Sequence, residues 1–391
     1  MEQAQRMLQQ PGPSAMTAAF SFSYGPRLRS VAGICAQLAD LLPPGPVLLV
    51  TDAGVRRFGL CDGALAALKG RAVVVFDAVE ADPSAKTVLA AVEAGRAGGV
   101  ASVVGLGGGS PMDVAKLVAY LLGSGDDLAA IYGVDQAKGQ RLPLVLIPTT
   151  AGTGSEATPI AIVTVGETEK KGVVAPALYA DWALLDADLT LGLPPAATAA
   201  TGIDAMVHAI EAYTSARLKN PVSDALAKEA LRLLSANLPK VLANGRDVAA
   251  REAMLLGSHL AGVAFSNAPV AAVHALAYPL GGHFHVPHGL SNALMLRPVL
   301  RYNQPAAGAL YGELATCLDP TVPESAEAAF FSAIDALLTA SGLPLRLRDI
   351  DIPESALELM AREAMKQQRL LINNPRLLEE ADALALYRQA W

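Results

Sequence analysis

Three observations predict an α/β unit with a mostly parallel sheet, followed by an all-α unit. Short apolar β-type runs alternate with Ala-rich helical stretches through the first half, the texture changes at Gly192-Leu-Pro-Pro195, and long helical periodicity follows from Ala196. The β-type runs are Pro46–Thr51, Ala72–Phe76, Ser102–Leu106, Leu144–Pro148 and Ala183–Leu185; Ser84–Arg96 and Met112–Leu122 carry helical spacing between them. Apolar strands separated by helices form parallel sheets covered on both faces. A proline pair ahead of an Ala-rich stretch suits a helix start, and Ala200–Ser215, Asp224–Leu234 and Val248–Phe265 then read as helices. The expected division is a disordered leader at 1–16, an α/β unit at 17–195 and a helical unit at 196–391.

Composition narrows the function. The chain has 391 residues, 52% hydrophobic and 17% charged, enough to bury two cores. A net charge of −7 offers phosphates no basic face, so nucleic acid is not an expected partner. Apolar runs fall short of the roughly 20 residues that a membrane span needs, so no membrane partner is expected either. Cys35, Cys61 and Cys317 have neither C-x-x-C spacing nor an even count, which argues against disulfides and thiolate metal sites. Without a signal-peptide pattern at the start, the expected compartment is the cytoplasm.

Gly105-Leu-Gly-Gly-Gly-Ser-Pro-Met-Asp113 follows a predicted strand and opens a helix. Glycines let the backbone approach a ligand, and the helix start would aim N–H groups at a pyrophosphate. Pro148-Thr-Thr-Ala-Gly-Thr-Gly-Ser-Glu156 likewise follows a strand, where a binding crevice would lie. Asp52 ends another strand and suits either a ribose diol or a helix cap. All six histidines fall within residues 208–288. Asp204 and His208 stand at i, i+4 and share a helix face; His274 lies in another helical stretch, and His288 in the turn Val286-Pro-His-Gly289. One oxygen and three nitrogens suit Fe(II) or Zn(II).

These motifs, with Gly262-Val-Ala-Phe-Ser-Asn267, Val273-His-Ala-Leu-Ala-Tyr-Pro-Leu-Gly281 and Asn373-Asn-Pro-Arg376, resemble the iron-containing (group III) alcohol dehydrogenases from about residue 20 onward. The resemblance implies a Rossmann-like, dehydroquinate synthase-like α/β domain and a dimer or higher oligomer. It implies hydride transfer between a primary alcohol or aldehyde and NAD(H) in the interdomain cleft. It maps metal ligands onto Asp204, His208, His274 and His288. Cofactor contacts map onto Asp52, Asp82, Gly109, Ser110, Thr149, Thr150, Thr158, Lys171, Leu189 and Gly192, and Phe265 lines the substrate channel. Asp82 replaces an Asn common in the family, and Asp52 would repel a 2′-phosphate and favour NAD over NADP. Where many members carry a relay histidine stands Tyr278, a poorer proton relay at neutral pH; His283 is the other relay candidate. Tyr278 also resembles the hydroxyacid–oxoacid transhydrogenases, which with maleylacetate-type reductases form the alternative reading. A cyclising lyase of the dehydroquinate synthase type is a more distant one. Arg297 and Arg301 are the nearest cations, which favours a neutral alcohol.

Overall fold

The computed structural model describes residues 19–166, 169–323 and 326–391. The leader expected at 1–16 lies outside them. Strands β1 (Arg27–Ser30), β2 (Val47–Val50), β3 (Val73–Phe76), β4 (Ser102–Gly107), β6 (Leu144–Pro148) and β9 (Trp182–Leu185) form one six-stranded sheet in the order β1-β9-β6-β4-β2-β3. Every pairing in it is parallel. A smaller sheet joins β5 (Gly133–Val134) to the antiparallel pair β7 (Ile160–Val165) and β8 (Glu169–Val174).

Alternation along β2 explains why its four apolar residues are all buried. Leu48 and Val50 face one apolar layer, with helices α3 (Ala85–Ala97) and α4 (Gly109–Ser124). Val47 and Leu49 face the other, with α1 (Ala53–Arg57) and α2 (Asp62–Ala67). Each such side chain contributes about 1.5–3 kcal/mol when fully buried, and a strand covered on one face would bury only two of the four.

Beyond β9 the described chain is helical. Helix α5 (Pro195–Thr214) begins with proline at its first position, as the sequence suggests. It is followed by α6 (Pro221–Ala243), α7 (Val248–Asn267), α8 (Ala272–Phe284) and α9 (His288–Leu318). Then come α10 (Glu327–Ala340), α11 (Leu357–Ala364), α12 (Gln368–Leu371) and α13 (Glu380–Ala390). Helix α6 outruns the expected 224–234: Asn220 caps it, and it passes through Pro239 because Leu238 and Val241 remain buried in the helical core. His288, expected in a turn, is the first residue of α9.

Helix α5 is buried along almost its whole length and packs against α6, α7 and α9. The start of α9 approaches it so closely that a Cβ on Gly289 would lie 2.4 Å from the Ala200 carbonyl oxygen. Backbone cannot yield as a flexible side chain does. Gly289→Ala is therefore expected to lower stability by about 1–3 kcal/mol, read as a shift of the urea midpoint at unchanged m-value. An unshifted midpoint would show that this crossing has slack.

Candidate active site

Strands β2 and β4 are neighbours, yet the chain leaves them in opposite directions, β2 toward β3 and β4 toward β6. Such a switch leaves an open crevice at the carboxyl ends of the strands. Here it is a groove of about 370 Å3 lined by Asp52, Glu80, Ala81, Gly108, Gly109 and Ser110. Side chains of Asp52, Ser84, Asn220 and Asp247 cap α1, α3, α6 and α7. Helix α4 has only Gly108 as its cap and no side-chain hydrogen bond there. Its first-turn N–H groups are thus left for an anion in the groove. Gly107 makes the approach possible: its φ is +154°, and a Cβ there would lie 2.7 Å from Pro111.

Asp52 caps α1, its Oδ1 accepting from the Val55 amide at 2.8 Å, and it also lines the groove. Thr149 donates its amide to the Gly107 carbonyl at 2.9 Å, and Thr150 lies beside Gly108, so the hydroxyl-rich loop after β6 abuts the glycine loop. Leu189 and Gly192 lie on the segment joining β9 to α5, Leu189 against the sheet and Gly192 in open space. Two expected contacts sit elsewhere. Thr158 is 2% exposed and accepts from Lys116 Nζ at 3.2 Å, so its hydroxyl is committed inside the fold. Lys171 points away from Asp82, toward Glu169 and the Tyr132 ring. Its neighbour Lys170 lies on the opposite face of β8, as strand alternation requires. Lys170 Nζ is 2.7 Å from Asp82 Oδ1, and both groups lie within electrostatic reach of His288.

Asp204 and His208 on α5, His274 on α8 and His288 on α9 converge, with one potential ligand atom from each within 4.8 Å of all the others. His208 Nδ1 lies 3.2 Å from the Gly152 carbonyl, which only accepts, so Nδ1 carries the proton. His274 Nδ1 likewise faces Glu211 Oε2 at 2.6 Å. The two Nε2 atoms are turned toward each other, 3.0 Å apart. Burial pushes the His208 pKa down to about 3, so its Nε2 keeps a lone pair near neutral pH. One carboxylate with three imidazoles, converging on one point, is a donor set that suits Fe(II) or Zn(II).

Partners around these ligands went unassigned in the sequence. Glu211 is 4% exposed; besides His274 it accepts from the amides of Ala271 and Val273, at 3.0 and 2.7 Å. Asp204, His208 and Glu211 stand at i, i+4 and i+7, so the helical face could have revealed it. Asn292, one turn into α9, donates to Asp204 Oδ1 at 2.6 Å. Phe265 stacks on His208 with ring centroids 4.4 Å apart.

Tyr278 lies one turn after His274, its ring centroid 6.2 Å from that of His288. Burial raises its pKa, the positive charge of Arg369 opposes the rise, and Asp113 and Asp204 add to it; the phenol keeps its proton at neutral pH. His283 is exposed and falls nine positions after His274, about half a turn away around α8, so it is not brought to the site. Arg297 and Arg301 are engaged with Asp335, and Arg369 is the arginine beside Tyr278.

A groove at a helix N-terminus and a cluster of one carboxylate and three imidazoles that could hold a metal ion, joined by one loop, are the features of a metal-dependent dehydrogenase. The chain belongs to the iron-containing alcohol dehydrogenase family and is an NAD-dependent oxidoreductase. Residues 26–187 match the family model described as iron-containing alcohol dehydrogenase, and 198–391 match its C-terminal counterpart. A long-chain-alcohol dehydrogenase of Geobacillus thermodenitrificans is 42% identical over 354 residues, covering 88% of this chain and 89% of that protein. A 1,3-propanediol dehydrogenase of Klebsiella pneumoniae is 37% identical, covering 94% and 96%. A solved 1,3-propanediol oxidoreductase superposes with a TM-score of 0.91 at 35% identity, covering 96% of this chain and all of that one. Sulfoacetaldehyde reductase from Bifidobacterium kashiwanohense, solved with NAD+, has a TM-score of 0.85 at 27% identity, covering 96% and 99%.

Glu211 orients His274 through its Nδ1. Glu211→Gln is expected to weaken iron retention by about 10–100-fold, measured as metal content after dialysis against graded chelator. Retention equal to wild type would reduce Glu211 to a structural contact.

Proposed function

We propose that hydride passes between NAD and an alcohol or aldehyde in the cleft between the α/β unit, 17–195, and the helical unit, 196–391. The observation that carries this reading is the shared loop: Thr149 binds the glycine loop, and the Gly152 carbonyl orients His208. The dinucleotide and the metal therefore meet across a few residues of one segment. In this reading Asp52, Gly109, Ser110, Thr149, Thr150, Leu189 and Gly192 contact the cofactor, Lys170 with Asp82 takes the place expected of Lys171, and Phe265 borders the substrate. Asp204, His208, His274 and His288 hold the ion, which supplies Lewis-acid polarisation of the substrate oxygen. Tyr278 Oη, protonated at neutral pH, donates a hydrogen bond and orients substrate. The free cysteines support a cytoplasmic setting. No single described helix is long and apolar enough to cross a membrane. A homodimer or larger assembly follows from the family resemblance.

A second reading concerns the substrate. Arg369, beside Tyr278, gives the cleft a cation that the sequence did not reveal, which favours a substrate with an anionic or oxygen-rich end. The names of the relatives span long-chain alcohol, 1,3-propanediol and sulfoacetaldehyde.

The test follows NADH absorbance in anaerobically Fe(II)-loaded protein with primary alcohols, diols and 2- and 4-hydroxyacids. Chelator-sensitive growth of the NADH band with alcohols or diols is expected. Exchange between a hydroxyacid and an oxoacid without net NADH would instead make the protein a transhydrogenase. His274→Ala should abolish turnover and leave NADH binding intact; normal turnover after metal stripping would overturn the metal-centred reading. Tyr278→Phe should lower kcat by about tenfold, the effect of one lost hydrogen bond of about 1.4 kcal/mol. An unchanged kcat would remove Tyr278 from the site.

A further inference from the structure

Lys116 on α4 is 0% exposed, an unusual place for an ammonium. Its Nζ donates to Ser155 Oγ at 2.7 Å, Thr158 Oγ1 at 3.2 Å and the Ile160 carbonyl at 2.7 Å, and lies 3.4 Å from Asp113 Oδ1. The network closes on itself: Ser155 Oγ donates to Asp113 Oδ1 at 2.6 Å, and the Ile162 amide donates to Asp113 Oδ2 at 2.9 Å. An ammonium has three protons, and three neutral acceptors surround this one alongside the carboxylate. Burial pushes its pKa down, while Asp113 and Glu156 push it back up.

The three elements it joins border the cofactor groove or continue from it. Asp113 and Lys116 belong to the helix whose start meets the groove; Ser155 and Thr158 end the loop that begins at Thr149; Ile160 opens β7. A lone carboxylate near the start of α4 would oppose an anion bound there, because it offsets the positive end of the helix dipole. The lysine cancels that charge from inside the fold and leaves the groove side of the helix end unaltered.

We propose that Lys116 is a positioning residue that clamps the hydroxyl-rich loop against the glycine loop and so sets the affinity of the dinucleotide site. The inference rests on the assignment of that groove to NAD. Lys116 touches no cofactor atom in this account and acts through Ser155, Thr158 and Asp113.

Lys116→Met keeps the length of the side chain and removes its charge and donors. In Fe(II)-loaded K116M, the Kd for NADH and the KM for NAD are expected to rise about tenfold, the effect of one charged hydrogen bond. Metal content and the KM for alcohol should stay at wild-type values, and kcat at saturating NAD should fall by less than about threefold. If K116M fails to fold because Asp113 is left buried and unpaired, the D113N/K116M double variant removes both charges and carries the same expectation. Wild-type NADH affinity in either folded variant overturns the proposal, as does parallel loss of metal and of both KM values. NADH binding by wild type without alcohol turnover would defeat only the substrate reading. A wild-type protein that binds no NADH would defeat both.

Discussion

The approach of two imidazole nitrogens to 3.0 Å in a buried pocket is the constraint on which much of this molecule depends. The low dielectric around them raises the cost of leaving either nitrogen without a partner. The fold holds them there by engaging the far nitrogen of each ring, one with the Gly152 carbonyl and the other with Glu211. Glu211 in turn satisfies the amides that precede His274, so the ligand and the start of its helix are placed by one carboxylate. The close crossing of α9 over α5 at Gly289 and Ala200 brings His288 to the same point. Stability and cation affinity are therefore linked, since the geometry that would hold a cation is maintained by the packing of α5, α8 and α9.

The loop from Thr149 to Thr158 joins the two halves. It contacts the glycine loop at one end and His208 in its middle, and beyond that it packs on α7. A Cβ on Gly154 would lie 2.7 Å from Gly262 Cα, so backbone meets backbone directly. The buried pair Glu156 and His259, 3.2 Å apart, fixes the same contact. Such close approach leaves little room for the loop to drift relative to the helical half, which suits a reaction that needs two bound partners in register.

The cations of the cleft show how substrate preference escapes motif reading. Arg297 and Arg301 are near the ligands in sequence but turned toward Asp335, whereas Arg369 comes from a distant short helix and reaches Tyr278. Lys170 and Lys171 are adjacent and chemically alike. Only the register of the β7–β8 pair decides which one faces Asp82, because successive strand residues point to opposite faces.

By itself the sequence determined the parallel sheet, the glycine loop, the helical second half and the shared helix face of Asp204 and His208, since each is written in local periodicity, in strand–loop–helix order or in i, i+4 spacing. Glu211, at i+7 from Asp204, was legible by the same rule and went unread. Tertiary structure decided the rest. His283 looked available by proximity in sequence and was excluded by helical phase. Thr158 looked like a cofactor contact and was turned inward to Lys116. The 3.0 Å approach of His208 and His274, 66 residues apart, arises only when α5 and α8 pack together, because no local rule encodes the distance between side chains on different helices.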